Sequence, residues 1–152
     1  MENLDKYELY IGKFWVNFNS LELLLRIYLC RSNNEDEVGL EAVAGEECPV
    51  SHLTNYDSFV SLAKKYNEKV EDTEKIEIQE LNRFRDLIAH GRVVTKDQLP
   101  VTVIKYERPK QGSKNVKVSD HQVLTFDYLK QRITEANVMV LKVSKVLGAD
   151  CG

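Results

Sequence analysis

The chain has 152 residues, 43% of them hydrophobic and 30% charged, with 24 Asp+Glu against 21 Lys+Arg for a formal net charge of −3. That length suffices for one globular domain over residues 1–152, burying roughly 68–70% of its unfolded surface without staples. The charge balance excludes a broadly basic nucleic-acid coat and gives no reason to expect a membrane-surface protein.

The first predicted element is a long helix over about residues 4–30. Tyr7, Ile11, Phe14, Phe18, Leu21, Leu25 and Tyr28 step by alternating fours and threes, an amphipathic seam that Trp15, Leu24 and Ile27 widen. At 1.5 Å per residue it is about 40 Å long, a length that suits an antiparallel bundle better than a helix crossing a small sheet. Asn17, Asn19, Glu22 and Arg26 interrupt its most apolar stretch, which no lipid-facing span would carry. Residues 33–51 follow with Glu35, Asp36, Glu37, Glu41, Glu46 and Glu47, no Lys or Arg, and Gly39, Gly45 and Pro49. This reads as a solvated acidic loop with one short helical turn.

A second helix is expected from Tyr56, Phe59, Val60, Ala63 and Tyr66, capped by Thr54 or Asn55 and fraying near Asn67 to Val70. The third helix should start after Asp72 or Thr73, bury Ile76, Leu81, Phe84, Leu87 and Ile88, and end with a left-handed Gly91. Val93-Val94, Val101 to Tyr106 and Val116 to Ser119 are β-branched and partly alternating, with Pro109 and Gly112 between them, which predicts a small hairpin with a long tip. The last helix runs from about Phe126 to Leu147 on a seam of Phe126, Leu129, Ile133, Ala136, Val140, Val143 and Leu147. The expected fold is mainly α: an up-and-down four-helix bundle with a small β-hairpin, about residues 93–120, inserted between the third and fourth helices.

Reactive groups concentrate in one segment, Leu81 to Val93, which holds Arg83, Arg85, Asp86, His90 and Arg92 at the C-terminal end of the third helix. Asp86 and His90 are i,i+4 neighbours, so a carboxylate can orient the imidazole and favour its protonated form. The helix C-terminus also favours a cation there, by roughly 0.3–1 kcal/mol if exposed. Arg85 adds a planar, always-charged donor fork suited to a phosphate. A histidine that moves a proton to or from a ribose 2′-hydroxyl or a leaving oxygen, beside an arginine that stabilises phosphoryl charge, is what metal-free RNA cleavage requires.

Arg85-Asp86-Leu87-Ile88-Ala89-His90 resembles the R-x(4–6)-H signature of the HEPN superfamily, with the polar residue that usually follows its arginine. Arg83 also satisfies the spacing, but the apolar Phe84 follows it. The resemblance implies an all-α bundle that pairs into a homodimer, with the motifs of both protomers lining one cleft for RNA or a nucleotide. Many members are metal-independent endoribonucleases in toxin–antitoxin, abortive-infection or RNA-processing systems, so an antitoxin or accessory protein is an implied partner. Others keep the fold and only bind. On this reading His90 is the acid/base, Arg85 the phosphate clamp and Asp86 the orienting group, with Arg83, Arg92 and Glu22 in support.

Other features bear on the same choice. Glu22 lies beside the first helix's seam and either pairs with an arginine of the third helix or reaches solvent. Residues 92–117 carry Arg92, Lys96, Lys105, Arg108, Lys110, Lys114 and Lys117 against Asp97 and Glu107, a local +5 that suits phosphate contacts without base specificity, or simply keeps a hairpin tip solvated. Cys48-x3-His52 with a distant Cys30 is too sparse for a zinc site, and no Walker A, GxGxxG, HExxH or nucleophile-elbow motif occurs, so neither metal nor cofactor is expected. Three scattered cysteines and a first segment without a basic n-region lead to the expectation of a cytoplasmic protein. The alternative function, from another class, is a catalytically silent helical module that binds a protein partner or a nucleotide.

Overall fold

The structure, a computed structural model, describes residues 2–95 and 101–150, with 2, 3, 149 and 150 described by backbone alone. Lys96 and Asp97 of the basic segment, and Cys151, lie outside the described residues. The chain is mainly α: α1 (Glu2–Ser32), α2 (Phe59–Asn67), α3 (Gln79–His90) and α4 (Phe126–Asp150), with β1 (Arg92–Val94), β2 (Val101–Tyr106) and β3 (Val118–Leu124) between the third and fourth helices. The predicted hairpin is therefore a three-stranded antiparallel sheet in the order β1-β2-β3. Among the described residues, no helix is long and apolar enough to cross a membrane.

Two compact units divide the chain, and α1 and α4 each contribute to both. The first unit combines residues 1–15 with 79–135. Its core follows the predicted seams: Phe14 of α1, Leu81, Phe84 and Leu87 of α3, and Leu129 of α4 are all buried. Phe84 stands edge-on to Phe14, with centroids 4.7 Å apart, and edge-on to Tyr128 at 5.4 Å, an arrangement that adds to the area each ring buries. Val101 and Val103 of β2 and Leu124 of β3 close this core from the sheet. Thr125 caps α4, its Oγ1 accepting from the Tyr128 N–H at 3.1 Å.

The second unit combines residues 16–78 with 136–152. Phe18, Leu21, Leu25, Tyr28 and Leu29 of α1 pack there with Phe59, Leu62, Ala63 and Tyr66 of α2, and Ala136, Val143 and Leu147 of α4 are buried within the same unit. Burial pushes the Tyr66 hydroxyl up to about 12 while it donates to the Glu74 carbonyl at 3.1 Å. The acidic loop has its one short helical turn, a 3-10 turn over Val38–Leu40.

Several local expectations change. Trp15 is exposed and does not widen the seam. Helix α2 begins at Phe59, not near Asn55, because the Asn55 side chain accepts from the Asp57 N–H and turns the chain, leaving Ser58 as the cap that accepts from Ser61. Tyr56 consequently precedes the helix and is fully exposed. Residues 72–74 form a 3-10 turn, and α3 starts only at Gln79. Ile76 and Ile78 are buried at strand spacing, with Asn67's amide pairing to both the N–H and the carbonyl of Ile76. Gly91 is not left-handed. A side chain there would collide with the Leu87 carbonyl and the Val103 methyl, so close approach, rather than handedness, requires glycine.

Candidate functional site

The end of α3 lies against β2 and β3, and the strand register determines what it meets. Val101 and Val103 of β2 are buried, and alternation puts Lys105 on the same side; Leu124 and Gln122 of β3 likewise predict Asp120 there. Lys105 and Asp120 are opposite each other in the strand register, yet each side chain pairs with α3. Lys105 Nζ donates to Asp86 Oδ2. Arg83 donates to both Asp120 oxygens, Nε to Oδ2 at 3.0 Å and Nη2 to Oδ1 at 2.7 Å. Two ion pairs of opposite polarity thus join one turn of α3 to the sheet, fixing Asp86 one turn and Arg83 two turns before His90.

Asp86 is the centre of the site. One oxygen receives Lys105, and the other, Oδ1, lies 3.7 Å from His90 Nε2, an ion-pair distance longer than a hydrogen bond. The His90 side chain is 63% exposed, so its imidazole reaches any ligand that approaches the helix end. Gly91 N donates to the Leu87 carbonyl at 2.6 Å and closes the helix directly behind it. Arg85 is half-buried, with Nη2 donating to Asn82 Oδ1 at 3.3 Å. The structure therefore brings Asp86 and His90 together, adds Lys105 to them, and keeps Arg85 on the same last turns of the helix.

The supporting residues divide. Arg83 also meets Glu80 at 2.9 Å and the His121 carbonyl at 3.3 Å, so its donors are committed inside the protein. Asp120 holds Arg83 firmly charged, and Arg83 in turn holds the Asp120 carboxyl below its ordinary range. Lys105 is a partner of Asp86, where the sequence suggested a substrate cation. Arg92 is exposed, with its guanidinium 5.3 Å from the centre of the Tyr106 ring, and Arg108 is exposed on the β2–β3 connection. Glu22 belongs to the other unit and accepts from Arg26 at 3.1 Å; of the two readings, pairing with the third helix gives way to an i,i+4 partner on its own helix, and the carboxylate stays partly exposed. His52 Nδ1 meets Glu35 at 2.9 Å and Cys30 Sγ donates to the Asp36 carbonyl at 3.3 Å, so both tie down the acidic loop.

Sequence reasoning missed Arg132. It is buried on α4, bonded to Glu80 at 3.1 Å and Glu135 at 2.7 Å and stacked over Tyr128 at 4.9 Å. Tyr128 donates to the same Glu80 oxygen at 2.9 Å, and burial pushes its hydroxyl up to about 12. Glu80 therefore links Arg83, Arg132 and Tyr128. The signal was the spacing of Leu129, Arg132 and Ala136, which puts the arginine beside the seam.

Comparison with known protein families, curated proteins and solved structures finds no match. The family resemblance accordingly rests on the residues of α3 themselves.

Proposed function

We propose that the chain is a HEPN-like RNA-binding protein that cleaves RNA without a metal, acting as a homodimer. The observation that carries this reading is His90: an exposed imidazole on the last turn of α3, 3.7 Å from a carboxylate that Lys105 fixes from the other side. In the proposed step His90 moves a proton at the ribose 2′-oxygen or at the departing 5′-oxygen while the 2′-oxygen attacks the adjacent phosphorus. Arg85 supplies a planar donor fork to the phosphoryl oxygens, and Asp86 orients the imidazole. Transesterification needs one proton removed and another delivered. A single His90 provides one of these at a time, so two-fold pairing of the motifs would supply both and double the cations around one scissile phosphate.

Incubation of mixed RNA in EDTA with wild type, His90→Ala and Arg85→Ala tests the mechanism. Wild type should cleave, and each variant should lose about 100-fold or more. Equal activity in all three removes the mechanism. The silent-module reading draws on the internal engagement of Arg83 and Lys105, which leaves fewer cations for substrate. It predicts no cleavage by any of the three proteins and no RNA affinity even at low salt.

A further inference from the structure

The sheet has a second face, which the site above does not use. Arg92, Ile104 and His121 form one cross-strand row, and Val94, Thr102 and Val123 form the next. Alternation places both rows opposite Val101, Val103 and Leu124, whose side chains are buried. Arg92, Val94, His121 and Val123 are accordingly exposed. Tyr106 belongs to this outer face, because Arg92 lies over its ring, and it remains 39% exposed. The connection that leaves Tyr106 carries Arg108, Lys110, Lys114 and Lys117 against Glu107 alone, all exposed. It folds over a turn in which Ser113 N donates to the Lys110 carbonyl and Gly112 has φ +80°, the geometry of a type II turn.

An aromatic ring backed by a guanidinium, among small apolar side chains and beside four exposed cations, has a specific complement. A protein partner fitted to Val94, Ile104 and Val123 would not call for the cations, and a duplex would meet the cations but keep its bases stacked away from the ring. A single strand satisfies both, with a base on the ring and phosphates on the cations. The chain also places this face next to the candidate site, since Tyr106 follows Lys105 and Arg92 stands two residues after His90.

We infer that Tyr106 and Arg92 form a stacking subsite for one unpaired base of a single-stranded RNA whose backbone continues to His90. This rests on the RNA-binding reading above and adds to it the strandedness of the substrate and the place where a base is held. The subsite selects for an unpaired base rather than for its identity, because every base has a π-face.

The test uses a 2′-O-methyl RNA oligonucleotide carrying 2-aminopurine, which binds without being cleaved because the attacking hydroxyl is blocked. Wild type should bind the single strand more tightly than the same strand in a duplex and should quench the 2-aminopurine. Tyr106→Ala and Tyr106→Leu should weaken binding roughly 5- to 100-fold and abolish the quench. Tyr106→Phe should keep both, since stacking needs the ring and not the hydroxyl. Tyr106→Leu retains apolar bulk, so a purely structural role for Tyr106 would leave its affinity at the wild-type level. Equal affinity of the wild type and the leucine variant, preference for the duplex, or no binding of any strand overturns the subsite. Cleavage of unmodified RNA that depends on His90 but not on Tyr106 leaves the mechanism standing and removes the subsite. Tyr106-dependent binding without cleavage does the reverse.

Discussion

Gly91 shows how little freedom the residue scale allows at the site. Any Cβ there meets the Leu87 carbonyl and Val103, neither of which can move cheaply, so Gly91→Ala should cost about 1–3 kcal/mol by overpacking. Urea denaturation measures this, and an unchanged midpoint would contradict it. Asp120 makes a second, pH-dependent prediction. Its folded carboxyl titrates below the ordinary 3.8 because Arg83 bonds its charged form, so its contribution to stability is present above that value and fades as the pH falls through the depressed folded one. Asp120→Asn should therefore lower stability at neutral pH by about 1–2 kcal/mol, discounted for partial exposure, and by progressively less in strong acid. Acid titrations of the two proteins that run parallel would exclude the pair as the cause. The i,i+4 relation of Asp86 and His90 was legible because helical geometry dictates it from spacing alone. The partners of Asp86 and Arg83 were not, since Lys105 and Asp120 lie 19 and 37 residues further along the chain and only the strand register brings them back.

At the scale of elements, α3 is the piece on which the site depends. Phe84 is completely buried between Phe14 and Tyr128, on the same turn as Arg83 and Asp86, so Phe84→Ala should cost about 3–5 kcal/mol and be visible as a lowered thermal midpoint. A loss under 1 kcal/mol would mean that the aromatic cluster does not hold the helix. The long seams of α1 and α4 were readable because a 3.6-residue period repeats over many turns, and the acidic loop because six acidic residues without Lys or Arg are punctuated by Gly39, Gly45 and Pro49. The start of α3 was not. The i,i+2 spacing of Ile76 and Ile78 is that of a strand, but two residues are too short a stretch to set a period, and Asn67's amide holds the extended form. Arg132 was hidden for a different reason. A charged residue is ordinarily assigned to the surface, and only Glu80, Glu135 and Tyr128 together make its burial tolerable.

Across the whole molecule, the net charge of −3 is the sum of two opposed regions. Six acidic residues lie between Glu35 and Glu47, whereas the described part of residues 92–117 carries six basic residues against Glu107. The proposed RNA affinity should therefore be local and salt-sensitive, with log K falling against log salt by about 0.7 for each phosphate contacted. Lys110→Gln and Lys114→Gln should each weaken binding across all sequences and reduce that slope by about 0.7. A slope near zero in the wild type would contradict the electrostatic footing of the interaction. Light scattering should report twice the mass of the chain if paired motifs form the site. The most direct measurement is the cleavage of end-labelled RNA in EDTA, comparing wild type with His90→Ala and identifying the new ends. The account predicts fragments ending in a 2′,3′-cyclic phosphate from wild type and about 100-fold less product from the variant; equal cleavage by the two proteins, or no cleavage by the wild type, would contradict it.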